Sequence, residues 1–125
     1  MNWKDIAISN LACAKSVIAD HPRSSASRAY YAAHVALALK LTAHGYAPPL
    51  GRQTQPHREQ PGLIRRYLTS LGAKRQKRLA ASYVRMYARR IDADYKRTVK
   101  VDKEAALDLV RDAAAAMRAL GVSAA

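Results

Sequence analysis

The clearest pattern in the chain is a stretch between Arg28 and Lys40 in which His34 is the only side chain that titrates near neutral pH. A helix drawn through this stretch is apolar on nearly every side, which is typical of a helix buried at the centre of a fold. Its alanines allow close approach of neighbours, and Tyr30 and Tyr31 add large apolar area with hydroxyls that need partners. The pattern predicts a central helix in which His34 is a hydrogen-bonded core residue.

Helical periodicity also appears before this stretch. Apolar residues recur every three or four positions over residues 2–20, which predicts an amphipathic first helix that ends before Pro22. Ser24 or Ser25 is then predicted to cap the central helix, and Gly45 is predicted to end it.

The second half of the chain continues the pattern after one interruption. Residues 46–56 contain three prolines and no helical period, so they are predicted to form a mobile surface loop. A short helix follows over residues 61–72 and a long charged helix over about residues 73–97. Asp102 is predicted to cap a last helix, which ends at Gly121.

These elements predict an all-α antiparallel up-and-down bundle of about five helices in one domain, residues 1–125. A single cysteine, Cys13, excludes an internal disulfide, and no apolar run approaches the roughly 18 residues of a membrane span. The amino terminus also lacks the pattern of a targeting segment. We therefore expect a soluble cytoplasmic protein with no membrane partner.

The positive charge is concentrated in the middle of the chain. The formal net charge is +13, and residues 1–51, 52–100 and 101–125 contribute +3, +11 and −1. Such a block attracts polyanions whatever their sequence. It favours nucleic acid or an acidic protein as a partner over a merely solvated basic surface.

The long charged helix has two distinct faces on a helical wheel. Its apolar face includes Arg90 and Asp94, which are spaced to form an ion pair within the helix. A second face carries the basic residues predicted to bind nucleic acid, namely Arg78, Arg85, Arg89 and Lys96.

Several kinds of catalytic site are poorly supported. The four histidines have no metal-ligand spacing, no phosphate-binding glycine loop occurs, and Asp92 and Asp94 point about 160° apart on a helix. Two groupings remain. Arg28 and His34 lie about 120° apart on the central helix, and Arg90 lies near Asp94 and Tyr95 on the long helix. A structural ion pair is the alternative role for Arg90 and Asp94.

Three features together resemble a small, uncharacterised group of HEPN-domain proteins. They are the run Arg28–His34 (RAYYAAH), His57 after the proline-bearing loop, and the run Arg90–Tyr95 (RIDADY). The resemblance implies a bundle of four or five helices that is commonly a homodimer. In the wider superfamily, many members are toxins or defence proteins that cut RNA without a metal or cofactor, using an arginine and a histidine spaced R-x(4–6)-H. Others pair with a nucleotidyltransferase antitoxin.

On this resemblance, the expected function is that of a HEPN-fold toxin or defence-type protein acting on RNA, with Arg90, Asp94, Tyr95 and His57 at its site. Tyr95 occupies the place where the superfamily's histidine would follow Arg90, and the literal spacing recurs only from Arg28 to His34. His57 or His34 would supply the imidazole if the fold brings it near Arg90. A non-catalytic module that binds RNA or a nucleotidyltransferase through its basic face is the alternative.

Overall fold

The computed structural model describes residues 2–96 and 98–123, and their regular structure is entirely helical. The helices are α1 (Trp3–Ser16), α2 (Pro22–Ala43), α3 (Gln60–Tyr67), α4 (Ala73–Tyr95) and α5 (Lys103–Ala119). Short 3-10 turns at His57–Glu59 and Thr69–Leu71 flank α3. The predicted all-α bundle of about five helices is confirmed. In the part of the chain that the structure describes, no helix has the length and apolar character needed to cross a membrane.

Helix α2 is the centre of the bundle and contacts each of the other four helices. Its residues from Ala32 to Ala38 are all buried, and alanine side chains let the neighbouring helices approach closely. Tyr31 departs from this pattern because 49% of its area is exposed. The predicted central helix is confirmed, with Tyr31 on its one open side.

Two hydrogen bonds show that α2 and α4 run antiparallel. The Tyr83 hydroxyl donates to the carbonyl of Ala33 at 2.6 Å, and the Ser27 hydroxyl donates to Asp94 at 3.3 Å. Positions rise along α4 as they fall along α2. The carboxyl-terminal half of α4, which contains Arg90, therefore lies beside the first half of α2.

The junction between α1 and α2 differs from its prediction. Helix α1 ends at Ser16, and α2 begins directly at Pro22, whose fixed φ suits the first turn of a helix. Ser25 consequently lies inside α2, where it is buried and its hydroxyl donates to the carbonyl of Ala14 at 2.7 Å. The predicted serine cap is wrong, because this hydroxyl joins the two helices instead.

The later helix boundaries are closer to the predictions. Asp102 caps α5 by accepting a hydrogen bond from the Ala105 amide at 2.9 Å, as predicted. Helix α3 ends at Tyr67, and a 3-10 turn completes the predicted segment up to Gly72. Helix α4 ends at Tyr95, and its predicted end near Arg97 falls outside the described residues.

Arg23 of α2 fixes the end of α4 that carries Arg90. Its guanidinium donates to the carbonyls of Ala93 at 2.9 Å and Asp92 at 3.1 Å. Carbonyls in the last turn of a helix lack partners within the helix, so a side-chain donor stabilises them. This contact holds the last turns of α4 against α2.

Candidate functional site

A cavity of about 530 Å³ lies between α2, α4 and the segment that precedes α3. Its lining includes Arg28, Tyr30, His34, Thr54, His57 and Arg90. Residues from both halves of the chain, and from both of the groupings found in the sequence, therefore meet at one place.

The segment before α3 contributes to this cavity because its end is folded inward. Leu50 is fully exposed, as expected of a surface loop, but Gln55 is only 1% exposed. Pro56 and Pro61 stand on either side of the 3-10 turn that carries His57 and limit the backbone there. The predicted surface loop is wrong for its last residues, which close one side of the cavity.

Hydrogen bonds around the His34 backbone carbonyl determine which atoms donate and which accept. A carbonyl can only accept, so the Gln55 amide nitrogen Nε2, at 3.0 Å, is the donor. The same nitrogen lies 3.0 Å from Gln60 Oε1, which must accept. The orientation of the Gln60 side chain is thereby fixed.

His34 uses both of its ring nitrogens in this network. Nδ1 donates to Gln60 Oε1 at 2.8 Å, and Nε2 accepts from the Thr54 hydroxyl at 3.0 Å. Burial lowers the pKa of His34 to about 4, so the ring is neutral at pH 7. The predicted hydrogen-bonded core histidine is confirmed, and neither nitrogen is left to exchange a proton with a ligand.

The network continues through Tyr30 to His57. Gln60 Nε2 donates to the Tyr30 hydroxyl at 2.9 Å, and this hydroxyl lies 2.6 Å from His57 Nδ1. Burial raises the pKa of Tyr30, so the hydroxyl keeps its proton and donates it to Nδ1. The proton of neutral His57 is therefore on Nε2.

His57 is held as a neutral ring within a stack of aromatic side chains. Its ring centroid lies 4.3 Å from that of His34 and 5.4 Å from that of Tyr87, and the plane of Tyr87 is inclined to it by only 3°. Burial, and then the positive charges of Arg90 and Arg52, lower the pKa of His57. Nε2 has no hydrogen-bond partner within residues 2–96 and 98–123, so it is the histidine nitrogen open to a ligand.

Arg90 is positioned by an ion pair and by two aromatic rings. Its Nε lies 2.8 Å from Asp94, which also accepts the Ser27 hydroxyl at 3.3 Å. The guanidinium carbon lies 5.8 Å from the Tyr30 ring centroid and 5.3 Å from that of Tyr95. The predicted pair of Arg90 and Asp94 is confirmed. It leaves Nη1 without a partner in the described part of the chain.

Arg28 brings a second guanidinium to the cavity. Its side chain is exposed and makes one long hydrogen bond, 3.4 Å, to Asn10. Arg28 and His34 diverge around the axis of α2, yet both border the cavity because it extends along more than one turn of that helix. Among the described residues, Arg28 therefore keeps donors without a partner, whereas both ring nitrogens of His34 are hydrogen-bonded.

The residues predicted to be catalytic have different positions. His57 and Arg90 border the cavity, Asp94 supports Arg90, and Tyr95 contacts Arg90 without entering the lining. Sequence reasoning missed three members of the network, namely Thr54, Gln55 and Gln60. A glutamine is polar, so a buried glutamine does not contribute to the hydrophobic periodicity that identifies core positions. The only local signal is a set of polar residues between two prolines.

The four residues predicted to bind nucleic acid do not form one free basic stripe. Arg85 and Arg89 lie 3.0 and 3.2 Å from Asp112 of α5, and Lys96 lies 3.3 Å from Asp92. Arg78 alone of the four has no ion pair with a described residue. The positive charge of α4 is therefore partly neutralised within the molecule.

Across the described ranges, no three His, Cys, Asp or Glu side chains are grouped so that they could hold a metal ion. Comparisons with protein-family models, with curated proteins and with solved structures gave no match. The resemblance to HEPN proteins therefore rests on the sequence motifs.

Proposed function

We propose that this protein is a HEPN-fold toxin or defence-type protein that acts on RNA in the cytoplasm and cuts it at the cavity without a metal ion. The observation that carries the proposal is the meeting of two arginines, Arg28 and Arg90, with the open nitrogen of neutral His57. Tyr31 borders the same cavity with 49% of its area exposed, and Tyr95, beside Arg90, is 66% exposed. Exposed aromatic rings beside arginines suit stacked bases and phosphates of single-stranded RNA.

The proposed reaction is transfer of the phosphodiester to the neighbouring 2′-hydroxyl. His57 Nε2 takes the hydroxyl proton, the 2′-oxygen forms a bond to phosphorus, and the bond from phosphorus to the 5′-oxygen breaks. The 5′-oxygen leaves with a proton from solvent. Arg28 and Arg90 stabilise the extra negative charge on the phosphoryl oxygens, which is greatest in the transition state.

For this step, His57 must first move its own proton from Nε2 to Nδ1. The Tyr30 oxygen then accepts a hydrogen bond from Nδ1, and its own proton loses its acceptor. That exchange costs about 1–3 kcal/mol, the penalty for a buried donor that is left without an acceptor. A positioned general base contributes a factor of about 10² to 10⁴, or roughly 3–5 kcal/mol. The gain exceeds the cost, so the network is compatible with catalysis.

A second function is favoured by the same tautomer. With its proton on Nε2, His57 donates a hydrogen bond toward the cavity, and together with two arginines it binds a phosphate group without reacting. The protein would then be a non-catalytic module that engages RNA or a nucleotidyltransferase partner. This partner and the homodimer follow from the resemblance to HEPN proteins.

The two functions are distinguished by cleavage of labelled tRNA and total RNA, with and without a chelator. The informative variant is Arg90→Ala, and the matched control is Arg89→Ala, because Arg89 is adjacent in sequence but pairs with Asp112. We expect chelator-resistant cutting that falls about 100-fold or more in Arg90→Ala and stays unchanged in Arg89→Ala.

Each other outcome has a definite meaning. Equal inactivity of the wild type and both variants, with RNA binding that weakens only in Arg90→Ala, supports the binding module. Cutting that survives in Arg90→Ala contradicts an active site at this cavity. Sedimentation of the wild type, alone and with a co-expressed nucleotidyltransferase, tests the homodimer and the partner.

A further inference from the structure

A second concave surface lies between the first half of α4 and the second half of α5, away from the cavity. It is a groove of about 370 Å³. Its lining consists of Arg75, Arg78, Leu79, Ser82, Ala115, Ala116, Arg118 and Ala119. No acidic residue is among them, so three guanidinium groups surround an aliphatic floor.

These three arginines have no ion pair and no side-chain hydrogen bond with any described residue, whereas other arginines of α4 are paired. Arg85 and Arg89, further along the same helix, share the carboxylate of Asp112. The surface that α4 and α5 form together is therefore uneven in charge. Near Asp112 the arginines are neutralised by ion pairs, whereas in the groove their positive charges are not compensated by any described residue. Unpaired like charges held close together repel one another, and a bound anion relieves that repulsion.

The groove fits the phosphodiester backbone better than it fits bases. Guanidinium groups bind phosphate oxygens in a bidentate manner. The floor contains Leu79 and three alanines, and Ser82 is its only uncharged polar side chain. With no aromatic ring to stack on a base and few groups to read base edges, the groove has no means of selecting a sequence.

We infer that this groove is a second RNA-binding site, which holds the backbone without base specificity while the cavity engages the nucleotide to be cut. The inference rests on the proposed function in taking RNA as the ligand. Arg78 and Arg90 are twelve residues apart, or about 18 Å along a helix, a distance that a few nucleotides span. An acidic protein is the less suitable occupant, because eight lining residues are few against the roughly 20–30 per partner in a stable protein interface.

Binding of a fluorescent single-stranded 2′-O-methyl RNA tests the inference, since this RNA has no 2′-hydroxyl and cannot be cut by the proposed reaction. The triple variant Arg75→Ala, Arg78→Ala, Arg118→Ala, here called the rim triple, removes the three arginines of the groove. The matched triple Lys4→Ala, Arg65→Ala, Lys100→Ala removes three exposed charges elsewhere. Single-stranded contacts contribute about 0.7 each to the slope of log affinity against log salt, so the rim triple should lower that slope by about 2. The control triple should change it much less.

Equal slopes for the two triples would overturn the inference. Competition by a polyglutamate peptide as strong as that by RNA of equal charge would also overturn it, because the groove would then suit an acidic protein. Failure of the proposed function appears separately. Suppose that the wild-type protein does not cut unmodified RNA, but that the rim triple still has a smaller slope of log affinity against log salt. RNA binding at the groove is then supported, and RNA cleavage at the cavity is contradicted.

Discussion

The network around His34 and the arginine surface of α4 and α5 are both rich in polar groups, but they differ in how those groups are satisfied. In the network, one backbone carbonyl fixes the donors and acceptors of Gln55, Gln60 and His34 in turn. On the surface, Asp112 pairs with two arginines, whereas the arginines of the groove form no ion pair with a described residue. The function of a polar residue therefore follows from its partners rather than from its type or its count.

The energies of the two regions differ for the same reason. A buried donor that loses its acceptor costs about 1–3 kcal/mol, because no water replaces the partner. An exposed ion pair contributes about 0–1 kcal/mol, since water and salt screen it. We expect changes in the network to alter stability and changes on the surface to alter binding.

Gln60→Leu should give the largest effect on stability. Leucine has a similar volume but accepts no hydrogen bond, so His34 Nδ1 and Gln55 Nε2 would each lose an acceptor in a buried place. We expect the free energy of unfolding to fall by about 3 kcal/mol in urea titrations at pH 7.

Gln76→Leu is the matched control, because its side chain is only partly buried and donates to the carbonyls of Ile64 and Arg65. Water can replace those contacts, so the loss should stay below about 1 kcal/mol. Equal losses in the two variants would mean that the network is no more demanding than a surface contact.

The regions also differ in how far sequence alone predicts them. Hydrophobic spacing predicts the helices because each buried face repeats with the helical period, and the charge-free run of α2 identifies the central helix. The spacing of Arg90 and Asp94 predicts their pair because both lie on one helix. These are local relations, which the order of residues specifies directly.

The cavity depends on relations that cross the chain. Tyr30 meets His57, and Gln60 meets His34, through contacts more than 20 residues apart, and no periodicity encodes them. The pairing of Arg85 and Arg89 with Asp112 likewise depends on how α4 packs against α5. Wheel geometry predicted a basic face but could not show which of its charges are neutralised.

The second prediction concerns pH, and its effect should be smaller than that of Gln60→Leu. The pKa of His34 falls from 6.5 in the unfolded chain to about 4 in the folded protein. Between these values the unfolded chain binds a proton that the folded chain does not, so acidification favours unfolding, and the loss levels off below about pH 4. From pH 7 to pH 5, the free energy of unfolding should fall by roughly 2 kcal/mol. The lowered pKa of His57 acts in the same direction.

His34→Gln isolates this contribution, because it removes the titrating ring while His57 and the charge of Arg90 remain nearby. Urea titrations at pH 7 and pH 5 should show a clearly smaller difference for the variant than for the wild type. A wild-type protein equally stable at both pH values would contradict the burial of a neutral ring at this position.

The smallest effect on stability is expected for Asp112→Asn. This variant tests whether the ion pairs with Asp112 prevent Arg85 and Arg89 from binding RNA. The variant should lose less than about 1 kcal/mol of stability, because both pairs are partly exposed. Two freed guanidinium groups should raise the salt slope of single-stranded RNA binding by about 1.4. Asp108→Asn removes the same charge from an exposed position on α5, and Asp108 forms no ion pair with a described residue of α4, so this variant controls for net charge. If both variants bind RNA equally more tightly, net charge alone governs binding, and the contrast between paired and unpaired arginines has no functional meaning. If only Asp112→Asn increases the salt dependence of RNA binding, the Asp112 carboxylate restricts RNA to the groove and the cavity.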